Sequence, residues 1–329
     1  MNLKTTYSLY KGELLPQSST QLSTTKTSGS RGIRRRIRRH KQLYLIVLIP
    51  MVFVFVFQYM PMYGLQIAFK DYWILKGFWD SPWTGFKHFK MFINSYYFGR
   101  LLSNTIGLSV YQIVAGILPP IIIAIALNES RNMIFKKTVQ MVVFAPYFLS
   151  TVIITSILMQ LLSYQGLVNQ IFEVFGLKPT LFLGKPELFK SLFVWSGVWQ
   201  HAGYGAVIYL AALAGINPEL YEAARVDGVS KWQQIRHIDI PGLLPTIIIL
   251  LILRSGSVLN VGFEKVLLLQ NPLNLRASDV IDTYVYRMGL INFEYSFSTA
   301  VGLFKSVANL ILLISVNSIA KKVGETSLW

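Results

Sequence analysis

Residues 217–228 have the features of a short, well-capped helix to which another protein could bind. Asn217 is a good N-cap, Pro218 suits the first helical position, and Glu222 favours the positive end of the helix dipole. Gly228 is expected to end the helix. A capped helix of this kind supports docking rather than bond-making chemistry.

A second short helix is expected to follow directly. Ser230 and Gln233 have the spacing of a capping box, and Pro241 is expected to end this helix. In the first helix the small side chains of Ala223 and Ala224 leave room for another protein to approach closely. The two helices therefore predict a compact docking surface.

Residue patterns that support catalysis are missing from the sequence. There is no G-x-x-x-x-G-K-S/T loop for ATP, no G-x-S-x-G nucleophile turn and no cysteine. None of the four histidines, His40, His88, His201 and His237, belongs to a pair with metal-ligand spacing. For His201, a hydrogen bond to a neighbouring helix is favoured over a role in a transport pathway. These features indicate a conduit rather than an enzyme.

The composition predicts that these residues are positioned by membrane helices. Of 329 residues, 53% are hydrophobic and only 14% are charged, and the mean hydropathy is +0.47. These values indicate an integral membrane protein and exclude a disordered chain. In a soluble protein, the net charge of +16 would suggest a nucleic-acid partner. In a membrane protein, the cations instead indicate which segments lie on the cytoplasmic side, so no nucleic-acid partner is expected.

Six apolar stretches are long enough to cross the hydrocarbon core as helices. Lipid requires every backbone polar group to be satisfied internally, and none of the stretches alternates like a barrel strand. The predicted fold class is therefore an all-α integral membrane protein. The six predicted spans are 43–67, 101–127, 138–162, 189–214, 243–262 and 295–320.

The distribution of cations predicts the orientation. With the N-terminus inside, cytoplasmic segments carry 18 Lys and Arg residues and external loops carry 10, so both termini are expected in the cytoplasm. The basic run Arg31–Lys41 lies in a predicted cytoplasmic tail of residues 1–42, which could also bind anionic lipid headgroups. Residues 68–99 form an aromatic-rich external loop, for which an interfacial belt is favoured over a ligand site.

The 217–241 segment resembles the EAA signature of binding-protein-dependent ABC importer permeases of the maltose-permease type. That signature is E-A-A, three residues, G, nine residues, and then I-x-L-P. Ile240 replaces the usual Leu, which exchanges one apolar side chain for another. The residues in register are Glu222, Ala223, Ala224, Gly228, Ile238, Ile240 and Pro241, and the resemblance assigns them to coupling with an ATPase.

The resemblance covers about residues 40–322 and implies the organisation of the chain. It implies a type I ABC importer (MetI-like) core at residues 100–317, with the coupling loop at residues 217–241 and a cytoplasmic tail at residues 318–329. It also implies a multi-pass protein of a prokaryotic cell membrane, closest to the oligosaccharide or polysaccharide-type sugar permeases. The implied partners are a second homologous permease, with a heterodimer favoured, two ATPase subunits, an extracytoplasmic solute-binding protein, membrane lipid and an oligosaccharide. No cofactor is expected on this chain, because ATP and Mg bind to the ATPase subunits.

Two cations are expected near the middle of the bilayer. Arg254 lies about 16 Å into the fifth span and Lys305 about 15 Å into the sixth, at 1.5 Å per residue. No acid of this chain is expected at that depth, so we hypothesise that both line a cavity for an anionic, uronate-containing oligosaccharide. A structural role shared with the partner permease is the alternative. The other residues predicted to line the substrate pathway are Asn260, Asn309, Tyr209 and Trp199.

Two other classes of protein compete with the importer permease. A secondary sugar transporter or channel would act without an ATPase, would not need the capped helix pair and would more typically carry intramembrane acids for ion coupling. A membrane-embedded enzyme would need catalytic residues, which the sequence lacks. Dependence of transport on a separate ATPase distinguishes the permease from both.

Overall fold

A computed structural model describes residues 40–324 of the chain. All regular elements of the described residues are helices. These residues contain no β-strand, only an isolated antiparallel bridge between Lys70 and Trp83. Most of the expected basic tail, including the run from Arg31 to Arg39, lies outside the described residues. So does the end of the expected C-terminal tail, after Gly324.

The chain divides into two units on either side of the Tyr63–Gly64 bond. The first unit begins with helix α1, Lys41–Val54, which continues through a π-helical turn, Phe55–Tyr59, into the 3-10 segment Met60–Phe69. Its apolar side chains are exposed, as a lipid-facing helix requires.

The second unit begins at Gly64, within this 3-10 segment, and continues into an aromatic loop, residues 70–97, that contains helices α2, Gly77–Asp80, and α3, Lys87–Ile93. The carboxylate of Asp71 lies 2.7 Å from Lys87 and 2.9 Å from His88. The hydrogen bond from Lys87 holds the pKa of Asp71 below its usual value. These contacts give the loop a defined fold.

The remaining helices follow in chain order. They are α4, Phe98–Glu129; α5, Met133–Phe144, extended by the 3-10 turn Ala145–Phe148; α6, Thr151–Leu161; α7, Leu167–Val174; α8, Pro186–Ala214, preceded by the 3-10 turn Phe182–Gly184; α9, Pro218–Val226; α10, Lys231–Gln234, followed by a π-helical turn, Ile235–Asp239; α11, Ile240–Ser255; α12, Phe263–Leu269; α13, Leu275–Ser278; α14, Ile281–Tyr286, followed by a π-helical turn, Arg287–Ile291; and α15, Tyr295–Gly324.

The long helices α4 and α8 form the centre of this unit. One cluster of buried side chains includes Leu108 of α4 and Phe193 of α8. A second cluster, further along both helices, includes Ala124 and Leu213 together with Leu243 of α11. These two clusters fix α4, α8 and α11 as one packed core.

Length and composition identify four helices that could cross a membrane, or five if a bent pair counts as one span. The four are Lys41–Phe69, Phe98–Glu129, Lys231–Ser255 and Tyr295–Lys322. The bent pair, Met133–Phe148 with Thr151–Leu161, turns by 97° where Ser150 caps the second helix. Helix α8 corresponds to the predicted span 189–214 and is long enough, but its polar residues, among them Lys190, Gln200 and His201, lower its hydropathy.

The prediction that Pro241 ends a helix is wrong. The chain is helical without interruption from Lys231 to Ser255, and Pro241 lies in the first turn of α11. Proline lacks the N–H that an α-helix needs at this position, and the wider π-helical turn just before it is a place where the ladder of hydrogen bonds changes register. The predicted fifth span is therefore shifted, because the helix ends at Ser255 rather than at residue 262.

Candidate functional site

A cavity of about 630 Å³ opens between α4, α8 and the segment that joins α11 to α12. Its wall combines apolar side chains with a few polar and charged groups, as ligand sites usually do. The polar and charged lining residues are Ser109, Gln112, Thr151, Gln200, His201, Arg254, Ser257, Asn260, Glu264 and Lys265.

Arg254 reaches the cavity from the last turn of α11. A Cβ atom placed on Gly116 of α4 would lie 2.8 Å from its Nη1 atom, so the guanidinium rests against the backbone of α4. Within the described part of the chain, no carboxylate lies within 4 Å of this guanidinium. The charge of Arg254 is therefore left for water or for a bound group.

Lys265, in the first turn of α12, is the second cation of the cavity and is only 7% exposed. Its Nζ donates a hydrogen bond of 3.1 Å to the carbonyl oxygen of Phe193 and lies 5.1 Å from the centre of that residue's ring. Glu264 also lines the cavity, yet no carboxylate of residues 40–324 comes within 4 Å of Nζ. A buried ammonium with only a carbonyl and a ring beside it favours an anion in the cavity.

Neutral polar groups around the cavity are mostly engaged with backbone. His201 bonds through Nδ1 to the carbonyl oxygen of Gly197 at 2.9 Å, which lies on its own helix and not on a neighbouring one as expected. The Gln200 amide donates to the carbonyl oxygen of Leu149 at 3.2 Å. Asn260, one of the residues predicted for the pathway, lies in the wall, in the segment between α11 and α12.

Lys305 has a counter-charge in this chain, contrary to the prediction that no acid lies at its depth. Its Nζ forms an ion pair with Asp282 of α14, and both side chains are largely buried. Counting residues along the sixth span gave the depth of Lys305, but it could not reveal that a short neighbouring helix brings an acid to the same place. Lys305 does not line the cavity.

The other three residues predicted for the pathway lie elsewhere. Tyr209 is buried in the cluster that joins α4, α8 and α11. Asn309 is buried, and its Oδ1 accepts a hydrogen bond of 3.0 Å from the backbone N–H of Leu259. Trp199 lines a second, almost wholly apolar hollow of about 520 Å³ between α6 and α8.

The coupling loop, residues 217–241, has the predicted caps and turn in its first part, up to residue 233. The Asn217 side chain accepts a hydrogen bond of 3.1 Å from the Glu219 N–H at the start of α9. Gly228 has φ of +68°, a left-handed conformation that residues with a Cβ rarely adopt. Ser230 and Gln233 form the predicted capping box at the start of α10.

The signature residues of the loop divide between surface and interior. Glu222, Ala223, Gly228, Ile240 and Pro241 are exposed, Ile238 is half-buried and Ala224 is buried. Large apolar side chains add to the exposed surface, including Leu220, Val226 and Trp232. An exposed apolar surface of this kind marks an interaction site.

Two polar contacts tie the coupling loop to the long helices. The Tyr221 hydroxyl donates a hydrogen bond of 2.6 Å to Oδ1 of Asp239. The Lys231 ammonium lies 2.7 Å from the carboxylate of Glu129, the last residue of α4. The end of α4 and the coupling loop therefore lie on the same side of the molecule.

The sequence did not single out Lys265 or Tyr221. Lys265 lay beyond the predicted end of the fifth span, and a single lysine there carries no local signal of a cavity. Tyr221 precedes the E-A-A motif but pairs with a residue eighteen positions further on. Among residues 40–324, no group of three or more histidine, aspartate or glutamate side chains could hold a metal ion.

Several known proteins are similar to this chain over most of its length. The polygalacturonan/rhamnogalacturonan transport system permease protein YteP of Bacillus subtilis (strain 168) is 40% identical over 295 residues, 89% of this chain and 92% of YteP. Protein LplB of the same organism is 41% identical over 294 residues, 89% of this chain and 92% of LplB. A chain in the crystal structure of a bacterial alginate ABC transporter, in complex with an alginate pentasaccharide-bound periplasmic protein, matches with a TM-score of 0.81 and 37% identity, covering 89% of this chain and 99% of that chain.

Residues 42–325 also match a family described as binding-protein-dependent transport system inner membrane component. This match extends over most of the sequence and includes both the coupling loop and the cavity. The chain therefore belongs to the family of inner-membrane components of binding-protein-dependent transport systems.

Proposed function

We propose that this chain is the permease subunit of an ATP-driven importer for anionic, uronate-containing oligosaccharides. The observation that carries the proposal is the cavity with two cations, Arg254 and Lys265, neither of which lies within 4 Å of a carboxylate in the described residues. Lys265 is buried, and a buried cation without an acid beside it costs free energy unless a ligand supplies the opposite charge. A sugar acid does so with its carboxylate.

The similar proteins support the same substrate class. YteP is described as a transport permease for polygalacturonan and rhamnogalacturonan. The similar crystal structure is that of an alginate transporter with an alginate pentasaccharide on its periplasmic protein. Polygalacturonan and alginate are acidic polysaccharides, which matches the cations of the cavity.

The proposed mechanism is alternating access driven by partner subunits. Two ATPase subunits bind ATP and Mg, close on each other and move the coupling loop. That movement turns the membrane helices from inward-facing to outward-facing, and the solute-binding protein releases sugar into the cavity. A second, homologous permease completes the pathway, and this chain itself carries no ATPase and no cofactor.

The proposal includes the membrane arrangement expected from the sequence. Six spans place both termini in the cytoplasm, and α8 together with the bent pair α5–α6 supplies two of them. Residues 100–317 form the transport domain with its coupling loop, residues 68–99 lie outside, and the tails at residues 1–42 and 318–329 lie inside. The exposed apolar surface of the long helices supports a location in the cell membrane.

The test is uptake by the complete complex in proteoliposomes, with a charged oligouronide and a neutral oligosaccharide of equal length. Arg254→Met and Lys265→Met should each reduce uptake of the charged sugar roughly tenfold or more, because each removes a cation that would bond to the carboxylate of the sugar acid. Uptake of the neutral sugar should change far less. Lys305→Met is the matched control, because that lysine pairs with Asp282 away from the cavity and should affect both sugars equally.

Two results would contradict the proposal. Equal losses for the charged and the neutral sugar in both cavity variants would assign Arg254 and Lys265 a structural role. Uptake that persists without ATPase subunits and follows an ion gradient would instead support a secondary transporter.

A further inference from the structure

The hydrogen bond between Tyr221 and Asp239 joins the docking helix to the helix that reaches the cavity. Tyr221 lies in α9, and its hydroxyl donates to Oδ1 of Asp239 at 2.6 Å. Asp239 is fully buried, and its Oδ2 has no hydrogen-bond partner in the described part of the chain. A buried carboxylate whose other oxygen is unpaired depends strongly on the hydrogen bond that it does have.

Asp239 and the cavity cation Arg254 belong to one uninterrupted helix, Lys231–Ser255. Fifteen residues separate them, about 22 Å along the helix axis at 1.5 Å per residue. The helix is tied to α9 near one end and carries Arg254 at the other. A displacement of α9 that is passed to Asp239 therefore reaches the cavity along one continuous helix.

Two other features of the coupling loop differ from the Tyr221–Asp239 contact. The chain between α9 and the long helix turns at Gly228, whose left-handed conformation allows α9 to pivot on a tight loop. The Lys231–Glu129 pair joins the beginning of the same long helix to α4, but the lysine side chain is 57% exposed. Exposed ion pairs contribute little to rigidity, whereas the Tyr221 hydroxyl bonds to a fully buried carboxylate.

We propose that Tyr221 is a positioning residue for energy coupling, which holds α9 rigidly on Asp239 so that movement of the docked helix turns the helix that carries Arg254. This inference rests on the proposed function, because it presupposes that an ATPase moves the coupling loop. The tyrosine acts through Asp239 and touches neither sugar nor nucleotide.

The groups around Tyr221 keep its hydroxyl protonated at neutral pH, so that it can donate the hydrogen bond to Asp239. Burial raises the pKa of the Tyr221 hydroxyl, and the hydrogen bond to Asp239 and the nearby Glu129 charge raise it further. The charged groups around the pair are Glu129, Asp239 and Lys231. Tyr221 therefore remains a protonated donor under physiological conditions.

The experiment measures uptake and ATP hydrolysis together in proteoliposomes of the complete complex, as sugar molecules imported per ATP hydrolysed. Tyr221→Phe removes only the hydroxyl and keeps the ring. Because loss of a hydrogen bond to a charged group shifts an equilibrium by roughly tenfold or more, we expect this ratio to fall at least about fivefold while ATP hydrolysis continues. Lys231→Met, which breaks the exposed pair of the same loop, should leave the ratio near that of the wild type.

A rescue variant separates the hydrogen bond from the charge. Asp239→Asn keeps an oxygen that can accept from Tyr221, so its ratio should stay within about twofold of the wild type. Loss of ATP hydrolysis and uptake in parallel in Tyr221→Phe, with less assembled complex, would mean a structural role only and would overturn the inference. So would an unchanged ratio in an assembled Tyr221→Phe complex.

Failure of the proposed function gives a different result. In that case the wild-type complex would show no sugar-stimulated ATP hydrolysis or no uptake of the oligouronide, whatever residue stands at position 221. A coupled wild type with an unaffected Tyr221→Phe variant contradicts the inference alone.

Discussion

Three cations of this protein, Lys305, Arg254 and Lys265, are held in two different ways, and the difference determines what each can do. Lys305 has Asp282 beside it, with side chains 14% and 18% exposed, and the pair forms a local neutral unit. Arg254 and Lys265 have no such acid among the described residues and face a cavity instead. A paired charge contributes to assembly, whereas an unpaired one is available to a ligand.

Removal of one member of the Lys305–Asp282 pair should destabilise the protein without changing its selectivity. Lys305→Met leaves a largely buried carboxylate without its partner and should lower the free energy of unfolding by about 1–3 kcal/mol. The measurement is thermal unfolding of the purified complex. Adding Asp282→Leu to Lys305→Met should recover most of the loss, because no isolated charge remains. A double variant that is no more stable than Lys305→Met would contradict the assignment.

At the scale of elements, the coupling loop depends on a turn that only glycine forms easily. Gly228 lies between α9 and α10 with φ of +68°, and the space around its missing side chain is open. Any cost of substitution there thus comes from backbone strain and from the docking surface, not from a clash within the chain. Glu222 is exposed on α9 and makes no ion pair with the described residues, so its charge is free to meet a partner.

Changes at these two positions should uncouple the ATPase while leaving the protein in the membrane. Gly228→Asp strains the turn, and Glu222→Lys reverses a charge at a contact where a like or unpaired charge costs of order 2–5 kcal/mol. Both should abolish sugar-stimulated ATP hydrolysis in the reconstituted complex, although the amount of membrane-inserted protein stays similar. Glu173→Lys, at an exposed glutamate of α7 that lies outside both the cavity and the coupling loop, controls for charge alone. Normal stimulation in both loop variants would refute the coupling assignment.

Local patterns in the sequence predicted those elements whose causes are local. The N-cap at Asn217, the turn at Gly228 and the box formed by Ser230 and Gln233 each depend on residues within one helical turn. Pro241 misled the prediction because the cost of a proline depends on the helix geometry just before it. That geometry is set by packing of the whole helix.

Contacts between elements could not be predicted in the same way. Asp282 meets Lys305 across 23 positions, and the sequence around Asp282 shows no periodicity that marks a helix at that depth. The cavity joins α4, α8, α11 and α12, so only the assembled fold reveals that Lys265 faces it. Of the predicted pathway residues, Arg254 and Asn260 line the cavity, whereas Tyr209 and Asn309 brace the core.

At the scale of the whole molecule, the number of spans and the direction of the chain decide which surface meets which partner. Glu129 at the end of α4 contacts Lys231 of the coupling loop, so both elements end on the same side. If that side is the cytoplasm, the coupling loop can reach an ATPase and the aromatic loop faces the opposite side, where a solute-binding protein docks. The excess of cations in the predicted cytoplasmic segments favours this direction.

Topology reporters test this arrangement directly. A reporter inserted near Ser18 and one fused after Lys322 should both read cytoplasmic, and one inserted near Lys76 of the aromatic loop should read external, because six spans return the chain to its starting side.

Neutralising the arginines between Arg31 and Arg39 should weaken the orientation first, since this run supplies most of the charge bias. Neutralising Lys136 and Lys137 instead, at the short first cytoplasmic loop, should have a smaller effect. An external reading after Lys322 would mean that the chain has an odd number of spans. The miscount would then be expected at residues 133–161, because the bent pair turns there by 97° and was counted as one span.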